Sequence, residues 1–195
     1  MTPFRTALLA FALAASSPAF AATAPYTIDA NHTQVFFTYS HFGLSNITGR
    51  FDKVEGTFDF DAADPTASRI SVKIPIDTVS MGVPKLDTHL ASPDFFDAAQ
   101  FPHATFTSTS VTAAGAGKLK VAGDLTLHGV TKPVVLDVKV NYVGPHPMNK
   151  APVAGFDATT TIKRSEFGID GMIPGVPDEV SIRITMEARG PKPGA

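Results

Sequence analysis

Along much of the chain, apolar and polar residues alternate with period two, the mark of a strand with one dry and one wet face. The clearest case lies near the C-terminus, where Val180, Ile182, Ile184 and Met186 share one face and Ser181, Arg183, Thr185 and Glu187 the other. A second strand sets Leu136, Val138, Val140 and Tyr142 against Asp137, Lys139 and Asn141, and a third sets Ile70, Val72, Ile74 and Ile76 against Ser71 and Lys73. A fourth carries Leu119, Val121, Leu125 and Leu127, with Gly123 in the same row, where a bulge or a barrel bend leaves no room for a side chain. Weaker candidates are Val35 to Tyr39, Phe51 to Phe60, Thr105 to Val111 and Ala154 to Lys163. Turn material separates them at Asp64-Pro65, Gly115-Ala116-Gly117, His128-Gly129 and Gly144-Pro145.

The pattern therefore predicts about eight strands in succession. With almost no helical sequence between them, the sheet is expected to be antiparallel, because parallel strands need long crossovers. The exception is Pro84 to Ala99, where Leu86, Leu90 and then Phe95 and Phe96 fall at helix-like intervals. Pro84 suits an early helical position and Pro93 stops a helix near Ser92, so two short helical turns are expected there. One hidden row per strand fits either a closed barrel or a sandwich. The chain has no Cys and no Trp, the usual markers of the immunoglobulin sandwich, which tips the balance slightly towards the barrel.

The first residues follow a different rule. Arg5 precedes the apolar run Ala7 to Ala15, then a Ser16-Ser17-Pro18 break and Ala19-Phe20-Ala21, the layout of a secretory signal peptide cleaved after residue 21. The run is too short for a membrane span, which needs about 20 residues. Residues 22–195 then form a single domain with no stable membrane anchor, and the expected location is a bacterial periplasm or the exterior. Without Arg5, 15 basic residues face 18 acidic ones, a net charge of −3, which argues against nucleic acid as a partner. The segment from Gly190 to Gly194 reads as a frayed tail.

Candidate chemistry is sparse. No nucleophile elbow, zincin helix or phosphate loop occurs, and no cysteine nucleophile is available. The histidines, at 32, 41, 89, 103, 128 and 146, form no i, i+4 pair, and His32 and His41 differ in strand parity. No metal or cofactor is expected. Twelve Phe remain beyond the leader, clustered at Phe36-Phe37, at Phe58 and Phe60, and at Phe95-Phe96-Phe101-Phe106. They serve either an ordinary core or the wall of a cavity, since an eight-stranded barrel is just wide enough to be filled or to hold one slim ligand.

Specific residues carry a resemblance. Tyr26-Thr27-Ile28-Asp29 is followed by His32, Val35 and Phe37, and then by His41, Gly43 and Ser45. After these come Gly49 with Phe51, Gly56-Thr57-Phe58, Asp87 with His89-Leu90, Phe95-Phe96-Asp97, Phe101-Pro102 and Thr105-Phe106-Thr107-Ser108. The longest piece is the run from Gly123 to Val134. It is followed by Gly155-Phe156, Ile162-Lys163-Arg164, Phe167-Gly168-Ile169 and Glu179-Val180. Together and in this order they resemble the YceI-like family of exported lipid-binding proteins. Two departures stand out: Tyr26 where the family often has Trp, and Leu86 where an Arg usually precedes the Asp.

The resemblance implies an all-β, lipocalin-like, extended eight-stranded antiparallel barrel. It implies a binding or carrier protein rather than an enzyme, with a long amphiphile such as a polyisoprenoid, an isoprenoid quinone, or a fatty acid or amide in an apolar tunnel. Expected ligand-binding residues are Phe37, Tyr39 and Phe58 as wall, Phe95, Phe96 and Phe106 as aromatics near the helical segment, and His41 and His89, which either meet a head group or tie loops. Two other readings stay open: a lipid-modifying enzyme using His41 or His89, and a stress-related interaction protein with a filled barrel. A homodimer also stays open.

Overall fold

The computed structural model describes residues 23–191, so the expected leader at 1–21 and residues 192–195 lie outside the described residues. Eleven strand segments form one antiparallel sheet: β1 (Ala24–Ile28), β2 (Gln34–His41), β3 (Ser45–Phe51), β4 (Glu55–Phe60), β5 (Arg69–Pro75), β6 (Val79–Ser80), β7 (His103–Ala113), β8 (Lys118–Leu127), β9 (Val130–Pro145), β10 (Pro152–Lys163) and β11 (Glu179–Arg189). Eight of them, in the order β1-β4-β5-β7-β8-β9-β10-β11 and back to β1, close a barrel.

The eleven segments make eight staves, because three staves are broken midway. β1 and β2 run end to end along β11: Thr27 pairs with Arg189, and Val35 with Ile184. β3 and β4 follow as the next stave, pairing with β2 and β1 respectively. β5 and β6 form the third, pairing with β4 and β3. The single strand read over 51–60 is thus two, separated at 52–54. The stave β5/β6 turns through a short 310 segment, Ile76–Thr78, that buries Ile76.

The chain runs up and down, so the turns fall at two ends. The upper end holds the β2–β3 turn, α1 (Pro84–Ala91), the His128-Gly129 turn and residues 164–178. The lower end holds the turns at 61–68, 114–117 and 146–151. At the upper end β6 does not pair with β7 among the described residues; the Ile76 N–H instead donates to the Pro102 carbonyl at 2.9 Å. Residues 84–102 cover this opening. Pro84 starts α1 and Ser92, just before Pro93, ends it. The second expected helical turn is instead a run of turns tied by Phe95 and Asp97 N–H bonds to the Ser92 carbonyl, with Asp97 at φ +45°.

Two bulges reset which residues face inward. Thr109 is extra in β7, so the inner row passes from Ala104 and Phe106 to Val111. Asn141 is extra in β9, so Val143 joins the core while Tyr142, expected on the inner row with Val140, lies on the solvent face at 46% exposure. Gly123 fills the role read for it: a Cβ there would sit 2.4 Å from the Phe106 ring and 2.6 Å from the Thr107 carbonyl. The tail starts later than expected, since the Gly190 N–H donates to the Pro152 carbonyl at 2.9 Å.

The break between β1 and β2 is held by polar groups. The Asp29 N–H donates to the Glu187 carbonyl at 2.9 Å, and the buried Thr33 hydroxyl lies 3.3–3.4 Å from the Glu187 backbone, which continues the ladder across the gap. The Asp29 carboxylate, buried, receives the Asn31 N–H, His32 Nδ1 at 3.1 Å and the Arg189 guanidinium at 2.6 Å. Burial alone would raise its pKa, but these donors together hold it below the ordinary value, while the Asp29 bond raises His32.

Two expectations follow. Gly123→Ala should cost about 1–3 kcal/mol, read by urea denaturation, because the Phe106 ring or the strand must move. His32, whose folded pKa is raised, stabilises below the ordinary imidazole pKa and loses this effect as pH rises through the folded value. The Tm gap between wild type and His32→Gln should therefore be larger near about pH 5 than near about pH 9.

Candidate functional site

Closing eight one-sided strands puts eight apolar rows in the middle, and here the rows do not meet. They enclose a cavity of about 510 Å³, well within the size of small-molecule sites. Its wall takes Val180, Ile182, Ile184 and Met186 from β11, Leu119, Val121, Leu125 and Leu127 from β8, and Ile70, Val72 and Ile74 from β5, the rows that the alternation marks. Between Phe156 and Arg164, β10 climbs about 20 Å along the axis, at about 3.3 Å per residue and a tilt of roughly 40°. The space is thus a tunnel.

The lower end is narrowed on one side by aromatics, while the wall runs on past them to Pro65, Ser68 and Arg69 at the lower turn. Phe58, Phe60 and Phe156 pack with ring centroids 5.2–5.5 Å apart, and Tyr26 closes on Phe60 edge-on at 5.2 Å. The small, fully buried Ala154 and Ala188 make room for these rings.

All eight residues singled out from the sequence lie on this wall. Phe37, Tyr39 and His41 are alternate residues of β2 and rise in that order towards the upper end. Phe37 touches Phe51 at 5.5 Å and Phe96 at 6.2 Å, so β2, β3 and the segment after α1 share one aromatic cluster. Phe58 belongs to the lower aromatic cluster, and Phe106 occupies the space left by Gly123. On α1, Leu86, His89 and Leu90, at i, i+3 and i+4, turn one face to the tunnel. His89 also meets Phe95 edge-on at 5.0 Å and lies 3.7 Å from an Asp94 carboxylate oxygen; His41 packs edge-on against Phe42 at 4.8 Å. Polar wall residues thus stand at both ends: Tyr39, His41, His89 and Arg164 near the upper loops, and Ser68 and Arg69 beside the lower turn at 61–68.

Arg164 escaped the sequence reading as a site residue. It continues the inner row Phe156, Ala158, Thr160, Ile162 by one more step of two, and that parity was the available signal. It is only 6% exposed, and its guanidinium donates to the carbonyls of Ile169, Val176 and Pro177 at 2.7–3.0 Å. Burial pushes its pKa down, against the pull of Asp178, Asp170 and Tyr39, and burial pushes the Tyr39 hydroxyl up. A guanidinium stays protonated even so. The loop 165–178 is thus folded around a cation, and its base is pinned by Ser165, whose N–H and hydroxyl donate to Asp178 at 2.8 Å each.

A second cluster, Asp29 with His32 and Glu187, brings three ligand-type atoms within 4.8 Å of one another. Its buried oxygen is already bonded to Arg189, so it is built as an ion-pair latch across the β1–β2 break.

The YceI-like domain model matches residues 26–188. A UPF0312 protein of Pseudomonas savastanoi is 42% identical over 170 residues, covering 86% of this chain and 88% of that protein. A UPF0312 protein of Vibrio cholerae is 40% identical over 169 residues, covering 85% and 89%. Among solved structures, Burkholderia cenocepacia BcnA superposes with a TM-score of 0.74 at 27% identity over 82% of this chain and 98% of that one. The Campylobacter jejuni YceI protein gives 0.72 at 30% over 76% and 88%. A polyisoprenoid binding domain from Saccharophagus degradans shares the fold, with a TM-score of 0.61 at 16% identity over 87% and 99%.

Arg164→Ala would leave three loop carbonyls without their charged donor. The expected result is a loss of about 3 kcal/mol in urea denaturation and faster amide exchange confined to 168–177.

Proposed function

The chain belongs to the YceI-like family, and from that premise we propose that its barrel binds and carries a long amphiphilic lipid, such as a polyisoprenoid, an isoprenoid quinone, or a fatty acid or amide. The carrying observation is the tunnel: about 510 Å³, walled by Val, Ile, Leu, Met and Phe, narrowed by aromatics below, with His41, His89 and Arg164 at its upper end. Such a site takes an apolar tail inward and leaves a polar head near His41, His89 and the upper loops. A filled barrel has no use for this space. The Saccharophagus degradans neighbour is itself described as polyisoprenoid binding, which agrees with this reading. The secretory leader expected at 1–21 agrees with a periplasmic or secreted carrier.

The energetics favour length. Each methylene withdrawn from water contributes about 0.8 kcal/mol, so ten contribute on the order of 8 kcal/mol before the cost of association. Affinity should rise in steps with chain length until the lower end of the cavity near Pro65 and Ser68 is reached, and change less with the head group.

Organic extraction of the mature protein, followed by mass spectrometry, should yield a stoichiometric long-chain lipid. In titrations, short- and long-chain analogues should differ by about fourfold per methylene, the equivalent of 0.8 kcal/mol. Equal affinities across the series would sink the tunnel account. Phe58→Asp should abolish retention, and Leu125→Trp, which narrows the tunnel while keeping it apolar, should shorten the longest chain retained.

A further inference from the structure

The exposed apolar side chains of this barrel are not scattered. Of the nine large ones among the described residues, six stand at the upper end: Phe42 and Leu44 on the β2–β3 turn, Val83 and Leu86 at the start of α1, and Met172 and Ile173 on the 164–178 loop. Leu44 is 83% exposed and Met172 53%. These three segments are neighbours around one opening. The Phe42 N–H donates to the Gly175 carbonyl at 3.0 Å, and a cleft joins Gly171 and Met172 to Pro93, Asp94 and Phe95 just after α1. At the lower end stand Met148, on the 146–151 turn, and Tyr142, on β9 opposite Gly155 with its hydroxyl donating to the Pro145 carbonyl.

The rim is continuous with the tunnel. Leu86 is 37% exposed and Met172 more so, yet both also line the cavity, so on the α1 and 164–178 sides the apolar wall continues onto the rim, beside His89. An apolar ring of this kind is what inserts into the boundary of a bilayer, where protruding Leu, Phe, Met and Ile leave water without needing a shaped partner. The charges beside it are mixed: Lys85 on α1, Asp94 after it and Asp170 on the loop.

We infer that the upper rim docks this barrel on a lipid bilayer surface, so that an amphiphile passes between membrane and tunnel without crossing water. The inference rests on the lipid-carrier reading for its purpose, but the docking itself can be tested separately. With charges of both signs at the rim, docking depends on apolar insertion rather than on anionic headgroups.

The test is flotation of the mature protein with vesicles of pure phosphatidylcholine and of phosphatidylethanolamine with phosphatidylglycerol. Wild type should float with both, with little change on adding salt. Leu44→Glu combined with Val83→Glu, two rim residues outside the cavity wall, should reduce the floated fraction by about tenfold. Met148→Glu, at the other end, should float as wild type does. The double variant should still bind a monomeric short-chain amphiphile from solution with unchanged affinity but extract a fluorescent lipid from vesicles much more slowly. Wild type that stays with the soluble fraction, or a double variant that floats equally well, overturns the docking. So does a wild-type dimer in sedimentation that the double variant converts to monomer without any flotation, since the rim would then serve a second copy of the chain. Failure of soluble amphiphile binding in wild type would instead remove the carrier reading, and flotation would still decide the rim.

Discussion

Everything in this barrel follows from ring closure between β1/β2 and β11. An antiparallel sheet of this length left open would present two edges of unpaired N–H and C=O groups and a broad apolar face. Closing it removes the edges and forces all eight apolar rows into one interior, whose width is set by strand number. The closure is made by a stave that breaks in the middle. Its two halves stay on β11 because Asp29 N–H and the Thr33 hydroxyl bridge the break through the Glu187 backbone, and because Asp29, His32 and Arg189 tie the turn to the strand end. Polar groups that could be mistaken for chemistry are therefore spent on geometry.

Given closure, the distribution of side-chain volume decides what the interior becomes. Below, Phe58, Phe60, Phe156 and Tyr26 meet over Ala154 and Ala188 and fill one side of the section, leaving a passage along β5, β7 and β8 towards Pro65 and Ser68. Above, the inner rows are mostly Val, Ile and Leu, which are too short to reach across, and a tunnel remains. The outer face contributes to holding the wall through cross-strand hydroxyl pairs, Thr38 with Thr48, Ser71 with Thr107 and Thr126 with Thr131, and through Arg183 stacked 4.1 Å over the outward-facing Phe36.

Much of this was legible in the sequence because parity is a local signal. The rows 180–186, 119–127 and 70–74 mark the wall directly, and Phe37, Tyr39 and His41 lie on it through simple alternation. What escaped is what breaks alternation. Nothing local announces the extra residue Asn141, so Tyr142 reads as inward; nothing local announces that a stave divides at 52–54, because the two halves are held by different partners. Arg164 shows the opposite error. Its parity was right, but a charged residue at a strand end is ordinarily solvent-exposed, and only the three loop carbonyls that surround it make burial tolerable.

That buried cation also explains why the two ends of the molecule differ in character. A turn needs only a few residues to reverse a strand, as His128-Gly129 does with two positive φ angles. The connection from β10 to β11 is far longer, and a loop of that length over an opening would be poorly ordered if left to itself. Here Arg164 donates inward to its carbonyls, Phe167, Ile169 and Val176 are buried beneath it, and Asp178 clamps its base. The loop's apolar residues are thereby divided: Ile169 and Val176 complete the roof of the tunnel, Met172 both lines it and reaches the outside, and Ile173 is left on the outside. A hub that satisfies backbone carbonyls from within frees the outer surface from any structural duty, and that surface is apolar.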